Sequence, residues 1–150
     1  MSIRKKLVKT AVIVPLTAIA IMVTAHVAMM GATPKPPKSE FGFGPRVSAN
    51  RHYSVTIEES APYKTGKLIG TVIRVEQAAG KLVDDAEISV DGGMPQHGHG
   101  LPTRPRVTKS LGGGRYQVEG LKFNMGGWWE LKFTITAGAT SDSVTFNLDL

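Results

Sequence analysis

Apolar and polar residues alternate one by one through most of the chain from Tyr53 to Leu150, in short runs separated by turn residues. An extended strand places successive side chains on opposite faces, so a period of two predicts strands that are buried on one face. No stretch of this region keeps a helical period for three turns. The alternation therefore predicts an all-β fold for this part of the chain.

The alternation also predicts which residues of each strand face the core. The inward sets are Tyr53, Val55 and Ile57; Ile69, Thr71, Ile73 and Val75; Ala86, Ile88 and Val90; Tyr116 and Val118; Trp129, Leu131, Phe133 and Ile135; and Val144, Phe146, Leu148 and Leu150. Trp128, Glu130 and Lys132 are predicted to point outward. Prolines near Val107 predict an edge strand there. Six or seven short antiparallel strands over about 100 residues are typical of an immunoglobulin-like β-sandwich.

A basic head, MSIRKKLVKT, and about twenty mostly apolar residues precede this region. We assign residues 1–31 to one N-terminal hydrophobic helix that is a membrane anchor or a signal peptide. Small residues up to Ala25 fit a cleavage site, but the apolar run continues through Met30, which favours an uncut anchor. The basic head predicts a single pass through the inner or cytoplasmic membrane, with the C-terminal domain outside the cytoplasm, in the periplasm.

The remaining chain divides into a linker and one domain. Residues 32–49 are rich in Pro, Gly and Lys and are predicted to be a linker that holds the domain off the membrane, with Phe41 and Phe43 docking on the domain or on a partner. Residues 50–150 form the β-sandwich domain. From Asn50 onward, acidic residues are as numerous as basic residues, so the net charge of +6 comes from the preceding segments. This distribution predicts no nucleic-acid partner.

The loop MPQHGHG, residues 94–100, is the candidate metal site. The chain contains no cysteine, so any soft ligand is methionine or histidine. Copper(I) favours thioether sulfur and imidazole, and copper(II) favours imidazole. The predicted metal ligands are therefore Met94, His97 and His99, with Met125 as a fourth ligand if its loop, FNMGG, lies at the same end of the sandwich.

The same loop also has a structural interpretation. Met94 and Pro95 would then plug the end of the core, and His97 and His99 would be solvated residues of a turn. No pattern indicates a catalytic site, because Asp84 and its neighbouring carboxylates lie on a solvated turn rather than as a paired acid and base. We therefore expect a binding protein and not an enzyme.

Three short motifs carry a resemblance to a known family. They are Met94 and Pro95 with the histidine that follows them, the turn at Arg115 and Tyr116, and the pair Gly127 and Trp128. Over roughly residues 65 to 150, the chain resembles the YtkA-like family and the related FixH-like proteins. The resemblance implies a small immunoglobulin-like domain outside the cell membrane, often behind one N-terminal anchor. FixH-like proteins are associated with the assembly of haem-copper oxidases.

Two functions are therefore expected. The first is a membrane-anchored extracytoplasmic domain that handles copper, or supports the assembly of a respiratory membrane complex, through the Met/His loop. The second is a metal-free protein-interaction module that scaffolds a membrane complex through its sheet face, Trp128 and the proline-rich linker. The first function requires the side chains of the loop, whereas the second tolerates their loss if the turn survives.

Overall fold

The computed structural model describes residues 33–59 and 61–150, so the predicted hydrophobic helix at residues 1–31 lies outside the described part of the chain. The described residues contain one short 3-10 helix, Lys38–Glu40, and nine strands. In chain order the strands are β1 (Arg46–Val47), β2 (Tyr53–Ile57), β3 (Leu68–Gln77), β4 (Glu87–Met94), β5 (His99–Gly100), β6 (Arg106–Gly112), β7 (Arg115–Lys122), β8 (Trp128–Ala137) and β9 (Thr140–Asp149). Within these two ranges, no helix has the length and apolar character of a membrane span.

The strands pair in the order β1-β2-β3-β7-β6-β4-β8-β9, with β5 added to β4, and every strand pair is antiparallel. Between β4 and β6 the pairing is reduced to Ser89 opposite Arg106. The two outer strands of this order, β1 and β9, approach each other. The Ala49 amide, just after β1, donates a hydrogen bond to the Ser143 carbonyl of β9 at 2.8 Å. The all-β prediction is confirmed, and the sheet is nearly closed.

The core lies inside this sheet and contains the residues that the alternation predicts. In β8, Trp129 is 1% exposed and Phe133 is fully buried. The Phe133 ring meets Phe146 of β9 edge to face, with centroids 5.9 Å apart. Burial of each large apolar side chain contributes about 1.5–3 kcal/mol, so these paired strands supply much of the stabilisation.

Trp128 differs from its prediction. Alternation places it on the face away from the core, but the side chain is only 4% exposed. Its indole N–H donates to the Asn147 Oδ1 atom of β9 at 2.9 Å. The period of two gives the face on which a side chain lies, and it does not tell whether other residues cover that face.

Part of the segment 32–49 lies on the domain. In β1, Arg46 pairs with Val55 of β2. The Phe43 carbonyl accepts a hydrogen bond from the Ile57 amide at 3.0 Å, and the Phe43 ring lies 4.9 Å from the Tyr63 ring, centroid to centroid. Of the two alternatives for Phe43, docking on the domain is the one observed.

The carboxylate of Asp142, near the start of β9, holds one end of the sheet together. It accepts hydrogen bonds from the Ser48 hydroxyl at 2.6 Å, from the Asn50 amide at 3.0 Å and from the His52 amide at 3.3 Å. Burial raises the pKa of Asp142, but these hydrogen bonds and one from the Ser143 amide outweigh it and hold the pKa well below its usual range. We call this group the aspartate end.

Candidate metal centre

The first part of the candidate site is a tight hairpin between β4 and β5. Met94 ends β4, and His99 of β5 lies directly opposite it. The amides of His97 and Gly98 both donate to the Met94 carbonyl, at 3.0 and 2.9 Å. Gly98 has a φ of 64°, which favours glycine at this position of the turn. Opposed residues of an antiparallel pair share a face with Cβ atoms about 5 Å apart, so His99 lies on the same side of the sheet as Met94.

The second part is the connection between β7 and β8, which carries Met125. The indole N–H of Trp129 donates to the Met125 carbonyl at 3.1 Å. Gly127 and Leu150 exchange two backbone hydrogen bonds, at 2.7 and 3.1 Å. These contacts fix the loop against the start of β8 and against the residue that follows β9.

The two parts meet at one end of the sheet. The terminal methyl of Met94 lies 3.1 Å from the point where a Cβ at Gly127 would be. A cavity of about 250 Å³ opens between the two parts, and its lining residues are Met94, His99, Gly100, Asn124, Met125 and Trp129. The loop of Met125 thus lies beside the hairpin, which is the arrangement that a four-ligand site requires. We call this group the methionine end.

Three of the four predicted ligand residues line this cavity, and His97 does not. Met94 is 2% exposed and Met125 is 45% exposed. Both histidines are exposed, and their rings are nearly parallel with centroids 6.2 Å apart. Among the residues that the structure describes, none forms a hydrogen bond or an ion pair with the His97 or His99 imidazole. Their nitrogen atoms are therefore available to a ligand.

The methionine end concentrates the soft donors of the domain. Between residues 33 and 150, the sequence contains two methionines, Met94 and Met125, and both line the cavity. Of the three histidines in that range, His97 and His99 lie in the hairpin, and His52 lies at the aspartate end.

The same part of the chain offers no metal site made of harder donors alone. Within 33–59 and 61–150, no three His, Asp or Glu side chains are arranged to hold a metal ion. A second cavity of about 310 Å³ borders the hairpin and is lined in part by Asp91, Glu130 and Lys132. The lysine beside the two carboxylates reduces the attraction of that cavity for cations.

Comparison with known proteins identifies the family. A family model described as YtkA-like matches residues 48–134, which is more than half of the chain. The chain belongs to the YtkA-like family. This confirms the resemblance inferred from its motifs. No protein of curated function matches this YtkA-like chain. A solved structure titled "ZirS C-terminal Domain" is similar with 16% sequence identity, covering 80% of this chain and 84% of that one, at a TM-score of 0.38.

The motifs of this YtkA-like domain have distinct structural roles. Met94 and Gly127, from two of the motifs, lie next to each other at the methionine end, where a Cβ on Gly127 would be 3.1 Å from the Met94 methyl. Tyr116, from the third motif, lies elsewhere. Its hydroxyl donates to the Val83 carbonyl at 2.7 Å and accepts from the Ala86 amide at 3.0 Å, which holds the connection that leads into β4. Tyr116 is therefore a structural residue.

Sequence reasoning missed two components of the cavity. Trp129 is predicted only as a core residue, yet it also lines the cavity, as does Asn124. The sequence position of Trp129 could have indicated this role, because alternation places the side chain inward at the start of β8, directly after the loop of Met125. Asn124 carries no comparable signal.

Proposed function

We propose that this YtkA-like protein is a copper-binding domain, not an enzyme, in which Met94, His99 and Met125 are the main ligands and His97 is an accessory ligand. The observation that carries the proposal is the shared cavity of two methionines and a histidine that come from two separate connections of the chain. A pair of thioethers with an imidazole is a ligand set typical of copper in proteins that lack thiolates.

The exposure of the ligands supports copper handling rather than permanent storage. Met125 is 45% exposed and His99 is exposed, whereas Met94 is buried. A partner that offers its own ligands would reach the metal through Met125 and His99. This arrangement suits a domain that takes up copper and passes it to a respiratory complex during assembly.

We further propose that the domain is anchored in the membrane by residues 1–31 and lies outside the cytoplasm. The support is the basic head followed by the apolar run in the sequence. We also propose that the nearly closed sheet is an immunoglobulin-like sandwich. Its longer strands pair as β2-β3-β7-β6 and β4-β8-β9, which is the strand arrangement of immunoglobulin constant domains, and the narrow β4 to β6 contact joins the two groups.

The test is copper binding to the full-length chain in mild detergent. Copper(I) is titrated against a competing chelator without oxygen, and copper(II) is followed by absorbance and spin resonance. One-to-one binding is expected. Either His99→Ala or Met125→Ala should weaken the copper affinity by at least about tenfold, because even residues that only orient metal ligands commonly contribute that much. His52→Ala is the matched control, because His52 is exposed at the aspartate end. Equal copper affinity in the native chain and all three variants, or no copper binding in any of the four proteins, would contradict the proposal.

The alternative, a metal-free interaction module, has less support from these residues. Its named contact, Trp128, is buried and hydrogen-bonded to Asn147. A partner that is retained from membranes equally by the native chain and by a His99→Ala, Met125→Ala double variant would favour this alternative.

A further inference from the structure

Trp129 forms part of the wall of the copper cavity, and its polar atom is already occupied. The indole N–H donates to the Met125 carbonyl, so it has no hydrogen to offer to an occupant of the cavity. The ring is 1% exposed and meets Phe123 edge to face, with centroids 5.2 Å apart. The indole is therefore held in place at the wall of the cavity, and its N–H is not available to an occupant.

The remaining lining is also soft and uncharged. It consists of two thioethers, one imidazole, the Asn124 side chain and a glycine, and no carboxylate is among the lining residues. Divalent ions such as copper(II) and zinc prefer nitrogen and oxygen ligands, and carboxylates also lower the energy of their double charge. The carboxylates of Asp91 and Glu130 line a neighbouring cavity, which Met94 and His99 also border and in which Lys132 offsets their negative charge.

An indole attracts a cation through its quadrupole, and tryptophan is the strongest aromatic residue in this respect. Copper(I) is a soft monovalent ion that accepts few ligands, so a site of two thioethers and one imidazole leaves room for such a wall. We propose that the cavity selects monovalent soft cations, copper(I) and its analogue silver(I), over divalent ions, and that Trp129 closes the site by a cation–π contact. This inference rests on the proposed copper function and specifies the oxidation state that the site holds.

The experiment uses the full-length chain with Trp128→Phe, so that fluorescence comes from Trp129 alone, since the sequence contains two tryptophans. Silver(I), which needs no reductant, is added first, and copper(I) is then added without oxygen. Both should quench the Trp129 emission and red-shift the indole absorption, with saturation at one equivalent. The same preparation with His99→Ala should lose this response at that concentration.

Affinity is measured separately by chelator competition, which does not depend on tryptophan. Trp129→Phe should weaken copper(I) and silver(I) by about tenfold. Copper(II) and zinc should bind at least a hundredfold more weakly than copper(I). Because Trp129→Phe changes a core residue, its circular dichroism is compared with that of the native chain. The emission titration tests the contact without that variant.

The outcomes separate the two proposals. Copper(I) binding that depends on His99 and Met125, but leaves Trp129 emission unchanged, overturns the cation–π contact and retains the copper function. Copper(II) or zinc binding as tight as copper(I) overturns the selectivity. Absence of copper binding in the competition assay overturns both proposals.

Discussion

The two ends of the sheet use their polar and polarisable side chains in opposite ways. At the aspartate end, the Asp142 carboxylate accepts hydrogen bonds from Ser48, Asn50, His52 and Ser143 and so holds separate parts of the chain together. At the methionine end, Met94, His99 and Met125 surround a cavity, and no described residue hydrogen-bonds to the His99 imidazole. Asp142 and Leu150 are separated by most of β9, or about 27 Å. One end is built for stability, and the other keeps its donor atoms available.

The largest effect on stability is expected from Asp142→Ala. The variant removes the common acceptor of the Ser48, Asn50 and His52 groups and leaves several donors without a partner. We expect the midpoint of thermal unfolding to fall by roughly 10 °C or more, measured by circular dichroism. Asp91→Ala, at an exposed position, is the control and should shift it by less than about 2 °C. Similar shifts in both variants would remove the contrast between the ends.

Gly127→Ala should affect both stability and copper affinity. Gly127 has a φ of 119°, and a Cβ there would meet the Met94 methyl at 3.1 Å. We expect a loss of about 2–3 kcal/mol in the free energy of unfolding, measured in urea, together with weaker copper binding. Gly138→Ala is the matched control, because its φ of 58° is also positive but no atom lies near its Cβ position. It should cost about 1 kcal/mol and leave copper affinity unchanged.

Acid should destabilise the protein through the aspartate end. The pKa of Asp142 is lowered in the folded state, so between that pKa and the unfolded value near 4 the unfolded chain binds more protons. The contribution of Asp142 is therefore complete above about pH 5 and is lost progressively as the pH falls further. Urea unfolding at pH 3 to 7 should show this loss in the native chain and a flatter dependence in Asp142→Asn. Parallel pH profiles would contradict the assignment to Asp142.

Tyr116→Phe is expected to have a smaller effect. It removes the hydroxyl that bonds Val83 and Ala86 and should cost about 1 kcal/mol in the free energy of unfolding. Copper affinity should not change, because Tyr116 does not line the cavity. A fall in affinity would show that the connection into β4 is coupled to the cavity.

His97→Ala should have the smallest effect. His97 is exposed and lies beside His99 without lining the cavity. We expect no measurable change in thermal unfolding and about a two- to threefold loss of copper(I) affinity, well below the loss in His99→Ala. Equal losses in the two variants would place His97 among the main ligands.

The sequence predicted the strands well because alternation is a local signal. The inward residues of β8 are found in the core as expected. The position of Met125 beside the hairpin was not predictable in this way, because it depends on the order of strands in the sheet. The Asp142 group was missed for the same reason, since its partners lie about 90 residues earlier and share no local pattern with it.

The unequal burial of the two methionines also determines which of them is oxidised first. Met125 is 45% exposed and Met94 is 2% exposed, so peroxide or another oxidant reaches the sulfur of Met125 first. The resulting sulfoxide is polar and is no longer a soft thioether donor. For the proposed copper function, oxidation of this one side chain limits the lifetime of the site, and an enzyme that reduces methionine sulfoxide would restore it.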